Sequence, residues 1–165
     1  MSESMVIRDE VRGDEPAIHE IHLVAFPGPA EAKLVDDLRQ SGDAGISLVA
    51  ARDDRIIGHI LFSMLTAPMR ALALAPVAVH PDYQRQGIGS ALIRAGLERA
   101  RRDGWEAAFV LGDVRYYRRF GFSVEAARGY RCPYAGEHFM MQPLGRGNIP
   151  AGGQLVYPAP FATLD

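Results

Sequence analysis

The segment Gln84-Arg85-Gln86-Gly87-Ile88-Gly89-Ser90 joins an apolar run ending in Val77-Ala78-Val79 to a long helical pattern. Glycines at 87 and 89 remove side chains where a backbone must come close to an anion, and the unpaired N–H groups that open the helix point at the same spot. A diphosphate is expected there, held by main chain rather than by side-chain charge. A Walker loop would need a lysine and a hydroxyl after its last glycine, and a dinucleotide fingerprint a third glycine three residues on; neither is present. A turn that merely punctuates the chain is the other reading.

Further chemistry-bearing side chains each admit a functional and a structural reading. His19 and His22 lie one helical turn apart, but no third ligand falls nearby, so no metal site is expected. His59 and His80 lie on or beside strands and could relay a proton through water or act as hydrogen-bonded structural histidines. Arg115, Arg118 and Arg119 make a small basic patch that suits a phosphate or a solvated face. Asp113 reads as a helix cap, Glu137 as a loop charge, and Cys132 before Pro133 as an inert thiol.

The elements that must position these residues follow from periodicity and turn chemistry. Met5–Arg8 reads as a first strand. Acidic residues and Pro16 open a helix that runs to about Phe26 through Ile18, Ile21 and Ala25. After Pro27-Gly28-Pro29, a second helix carries Ala30, Leu34 and Leu38. Residues 46–51 and 56–62 flank Asp53-Asp54 as a hairpin. Pro76 within the apolar run 71–79 cannot donate to a ladder and predicts a bulge or a break in pairing. Ile88, Leu92, Ala95, Leu97 and Ala100 predict a helix ending at Arg99, Arg101, Arg102 and Gly104. A strand over 105–111, a short helix with Tyr116, Tyr117 and Phe120, a strand opening at Gly121-Phe122 and a last strand at 139–141 complete the order. From Gly145 the glycine- and proline-rich chain predicts an irregular tail anchored by Tyr157 and Phe161. The domain is thus expected over 1–145, with a tail over 146–165.

Composition narrows the class. At 165 residues, 48% of them hydrophobic, with a formal charge of -2, the chain reads as one globular domain without the basic field that draws nucleic acid. The single cysteine forbids an internal disulfide and suits a reducing compartment. A charged N-terminus without a signal-length apolar run, and no stretch of about 20 apolar residues, speak against export and membrane insertion. A cytoplasmic protein is expected.

The residues quoted above resemble the GNAT superfamily of acyl-CoA-dependent N-acetyltransferases, and within it the YhbS-like bacterial branch. The likeness covers about Val6 to Leu144 and is carried by three segments. Leu74–Val79 running into Gln84–Gly89 resembles the superfamily's cofactor motif. Tyr116-Tyr117-Arg118-Arg119-Phe120-Gly121-Phe122 is similar to its tyrosine helix, and Gly58–Phe62 is a weaker match. The resemblance implies an α/β fold: a mixed, mostly antiparallel twisted sheet flanked by helices, with a parallel crossover after the cofactor-binding strand.

It also implies roles. Main chain at Val77, Ala78 and Val79 would meet the pantetheine arm of acetyl-CoA as an added strand would. The N–H groups of Arg85, Gln86, Gly87, Ile88, Gly89 and Ser90, beside Gln84, would hold the pyrophosphate, and the arginine patch could meet the 3′-phosphate. Tyr117 would be the general acid at the cofactor sulfur, or else a core aromatic; Tyr116, about 100° around the helix, is assigned to packing. An amine of pKa about 10.4 is neutral about once in 2,500 molecules at pH 7, so direct attack on the thioester needs a proton acceptor. Glu31 is the candidate, because the region after the first helix lines the acceptor cleft in the superfamily; a solvated helix-start glutamate is the alternative. Many relatives carry an asparagine seven residues before the tyrosine, where this chain has Val110. The partner is an amine, small or on a protein, with a homodimer possible, and a non-catalytic acyl-CoA sensor is the alternative function.

Overall fold

The computed structural model describes residues 4–163; residues 1–3 of the charged N-terminal stretch and 164–165 of the tail lie outside it. A six-stranded sheet of order β1-β2-β3-β4-β5-β7 is built from β1 (Met5–Asp9), β2 (Ala44–Arg52), β3 (Arg55–Leu65), β4 (Ala71–Val79), β5 (Ala107–Leu111) and β7 (Phe139–Pro143). Every neighbouring pair is antiparallel except β4 with β5. Helix α3 (Ile88–Arg102) supplies the crossover that a parallel pair requires. The expected mixed sheet with one parallel crossover is therefore present. Asp53 and Asp54, at φ 52° and 63°, form the two-residue turn between β2 and β3, a backbone that aspartate tolerates.

Strand alternation divides the core. Phe62 points to the face covered by α3, among Leu92, Ile93 and Leu97. Its neighbour Leu61 points to the other face, among Ile18, Leu34 and Leu38 from α1 (Glu15–Ala25) and α2 (Ala30–Ser41). Gly96 lets α3 approach the sheet, because a Cβ there would collide with the ring edge of Phe62. Ala at 96 should therefore destabilise despite its better helix propensity, by about 1–3 kcal/mol of overpacking. Urea unfolding of Gly96→Ala checks this, and an unchanged midpoint would contradict it.

Two features open the sheet where the site lies. Ile60 pairs with Val77 and Phe62 with Leu74, so Leu61 alone faces both Ala75 and Pro76, the bulge that Pro76 predicts. The parallel pairing covers only Ala71–Ala73 with Ala107–Phe109, after which β4 and β5 part. From Leu74 to Val79 the strand has no sheet partner on its β5 side among the described residues.

The segment after Phe122 differs from expectation. Ser123 makes one bridge to Met141, and its hydroxyl accepts from the Ala126 N–H, so the chain turns into helix α5 (Val124–Ala127) instead of continuing as a strand. The local cap competes with the ladder and wins. The tail is also more ordered than an irregular strap. Short strand β6 (Tyr130–Arg131) pairs with β8 (Gly153–Gln154), and Thr66 and Val156 exchange main-chain hydrogen bonds of 3.0 and 2.8 Å. These contacts bring Tyr157 and Phe161 back to the mouth of the β4–β5 opening.

Candidate active site

The glycine turn forms the first half of the site. Gly87 adopts a left-handed φ of 80° as the residue before α3, and Arg85 is left-handed as well at 65°. Ala91 donates to the Gly87 carbonyl at 3.0 Å, while among the described residues the N–H groups of 85–90 meet no protein acceptor. Successive donors in such a turn, backed by a helix N-terminus of fifteen residues, form a concave anion site. Gly87 is required by backbone conformation alone, since a Cβ there meets nothing within 4 Å. A Cβ on Gly89 would instead point across the groove toward the Tyr116 hydroxyl at 3.5 Å and Val79 Cγ2 at 3.7 Å.

This groove, about 450 Å³, is floored by Val77 and Val79 and walled by the turn, Tyr83, Tyr116 and Arg119. Most of the residues named for the cofactor lie on it, with two exceptions. Ala78 turns its methyl into the core, and Gln86 leans out toward Arg52 at 3.4 Å, which leaves each only its main chain. The Gln84 side chain donates to the Val79 carbonyl at 3.1 Å and so ties the turn to the strand end. Ile88 is likewise anchored in the core. Of the three clustered arginines only Arg119 faces the groove, 3.5 Å from Ser90 Oγ. Tyr116 is both packed, against Phe120, and part of the groove wall, a second role that helical angle alone did not disclose.

The second half is the opening between β4 and β5, a cleft of about 310 Å³ that shares Val77 with the groove. Tyr117 enters it from helix α4 (Val114–Arg118), whose first turn is capped by Asp113 through bonds to the Arg115 and Tyr116 N–H groups. The Tyr117 ring stands edge-on to Phe122 at 6.0 Å, and burial pushes its hydroxyl up to about 12. That hydroxyl has no hydrogen-bond partner among the described residues. Glu31 lines the same cleft from the first turn of α2, and its half-buried carboxylate makes no ion pair or hydrogen bond among the described residues. Val110, seven residues before Tyr117, is a buried apolar part of the wall.

Residues 15–122 match the model of the acetyltransferase (GNAT) family. The chain belongs to this family. A curated relative, the uncharacterized N-acetyltransferase YhbS of Escherichia coli strain K12, is 36% identical over 142 residues, spanning 84% of this chain and 85% of the relative. The crystal structure of YhbS from Escherichia coli in complex with CoA superposes with a TM-score of 0.90 at 32% identity, covering 98% of this chain and 94% of that one. A GNAT acetyltransferase of Brucella melitensis in complex with acetyl-CoA gives 0.82 at 32% identity, covering 97% and 99%.

The remaining histidines lie outside the GNAT cleft. His59 and His22 are fully buried and share a hydrogen bond of 2.8 Å; His59 continues to Ser47 Oγ at 2.8 Å. His19 pairs with Asp36, and among the described residues no group of side chains could hold a metal ion. His80 accepts from the Asp82 N–H at the turn. Both histidines are hydrogen-bonded, His59 within the core and His80 at the turn after β4. What spacing could not disclose is the aromatic wall of the cleft: Phe26 from the end of α1, Tyr134, and Tyr157 with Phe161 from the tail.

Proposed function

We propose that this N-acetyltransferase moves an acetyl group from acetyl-CoA to an amine by direct attack, with both substrates bound at once. One observation carries the reading: a groove lined by main-chain donors that meet no protein acceptor among the described residues runs into a cleft that holds the Glu31 carboxylate and the Tyr117 phenol, neither of them paired with a described residue. Acetyl-CoA, when bound, supplies the thioester. The N–H groups of 85–90 hold its diphosphate, and Arg119 is the side chain placed for a further phosphate. The free edge of β4 at Val77–Val79 orients the arm by main-chain hydrogen bonds. In the cleft Glu31 takes the proton of the attacking amine, the new C–N bond replaces the C–S bond, and Tyr117 donates to the departing sulfur. No side chain is needed as a nucleophile. A reducing cytoplasm suits the lone Cys132 and a thiol product.

Calorimetric titration with acetyl-CoA tests the groove. Wild type should bind one equivalent. Gly89→Trp, which fills the groove without asking for a left-handed backbone, should lose on the order of 100-fold in affinity. Equal affinity in the two proteins would place the cofactor elsewhere. Acetyl-CoA binding without thiol release for any amine would leave a sensor in place of an enzyme.

A further inference from the structure

The cleft walls also bear on which amine is taken, an inference that rests on the transfer reading above. Among the described residues, no lysine, arginine or histidine side chain lines the β4–β5 cleft, and Glu31 is its only ionisable carboxyl group. An acceptor carrying its own carboxylate would bring that charge beside Glu31 with no cation to pair it, a costly placement in a part-buried site. A protonated amine, by contrast, meets one carboxylate and several aromatic faces.

Those faces are held in place. Tyr134 and Tyr157 meet edge to face at 4.7 Å, and Tyr157 meets Phe161 in the same way at 5.1 Å. Phe161 is fixed in turn by Ile18, Leu34 and Leu38 of the helical layer. Phe26, at the end of α1, lies parallel to the buried His22 ring at 5.9 Å. Burial also keeps the Tyr157 phenol neutral, since its hydroxyl is pushed far above the ordinary tyrosine value. The Phe26 and Phe161 rings of the cleft wall offer dispersion and cation–π contact but nothing to satisfy the hydrogen-bonding groups of a polar body.

We infer that the acceptor is a small primary amine borne on an apolar, preferably aromatic body and lacking an acidic group, with Glu31 receiving the ammonium and the Phe26, Tyr134, Tyr157 and Phe161 rings receiving the body. The volume of about 310 Å³, shared with the acetyl end of the cofactor, suits an arylalkylamine better than a polyamine or a folded protein's side chain with its neighbours.

The test uses a matched pair that differs only in the carboxylate, phenethylamine and phenylalanine, with spermidine as the polar amine. Calorimetry on the full chain loaded with CoA should show phenethylamine binding on the order of 100-fold more tightly than phenylalanine. In Glu31→Gln the amine should bind more weakly while the ratio between the pair contracts by about tenfold or more, which loss of folding would not produce. Phenylalanine or spermidine binding as well as phenethylamine, or an unchanged ratio in the variant, would overturn the inference. Thiol release from acetyl-CoA is scored separately. Release with spermidine alone sinks the acceptor class and keeps the transferase, whereas no release with any amine, acetyl-CoA being bound, sinks the transferase reading itself.

Discussion

Replacing Tyr117 with phenylalanine should lower turnover by about 10²- to 10⁴-fold while leaving acetyl-CoA affinity within about threefold of wild type. The ring packs edge-on to Phe122 and against Tyr116, and phenylalanine keeps those contacts. The hydroxyl bonds to no described residue, so its loss strands no protein group and should not move the melting temperature. Only an interaction absent from the free enzyme remains to be lost. With its hydroxyl pushed up to about 12, Tyr117 stays protonated across any practical assay and always presents a donor. A free thiol titrates near 8.5, so complete proton transfer from the buried Tyr117 to a thiolate in water would be uphill by about 3.5 units. The same burial that raises the phenol raises the thiol, and a strong hydrogen bond to the developing thiolate is enough to lower the barrier. Two results would remove Tyr117 from this role: turnover within threefold of wild type, or a fall in cofactor affinity equal to the fall in rate. A basic limb of the pH–rate profile below pH 10 should persist in the variant, since it cannot come from this group.

Local spacing made one half of the site legible and left the other dark. The left-handed turn at Gly87, the helix opening at Gly89 and the short helix that carries Tyr117 could be read because each is formed within a few residues of its signal, while the role proposed for Tyr117 came from the family resemblance. Pro76 announced its bulge because a missing N–H is a local fact. Tyr157 and Phe161 were legible as anchors but not as walls of the cleft. Their position depends on hydrogen bonds between Thr66 and Val156 and on the β6–β8 pairing, contacts across long separations that carry no periodic pattern. The two-residue strands are too short for alternation to mark them. Gly121-Phe122 misled because Ser123 offered the backbone a cap inside what otherwise reads as a strand opening. His22 and His59, thirty-seven residues apart, gave no hint that they touch. A polar pair of this kind is visible only once both layers are assembled.

That pair should make the fold acid-labile, and the direction follows from proton positions. Ser47 donates to Glu10 Oε1 at 2.6 Å, and Arg39 holds the same carboxylate through contacts of 2.7 and 3.0 Å. Ser47 therefore accepts from His59 Nε2–H, which leaves His59 Nδ1 as acceptor for His22 Nε2–H. Both rings are neutral with their single protons committed. An added proton would have to enter at His22 Nδ1, which is buried and has no hydrogen-bond partner among the described residues. Burial accordingly lowers His22 to about 4, helped by His19 against a pull from Asp36, and holds His59 well below its ordinary value, helped by His22 and Arg39 against a weaker pull from Asp14. In the unfolded chain both titrate near 6.5, so below that value the unfolded state binds protons that the folded state refuses. Stability present above pH 6.5 is lost between about 6.5 and 4, by about 3 kcal/mol for His22 alone. Asp14, lowered by Arg8, adds its own loss only below 3.8. Such a loss is a large share of the about 5–15 kcal/mol that holds a domain together. Urea unfolding at pH 7.5 and 4.5 should show the drop, and His22→Gln should flatten the slope between them by about one proton. Equal stability at the two pH values, or a slope unchanged in the variant, would mean that the pair takes up protons without opening the fold.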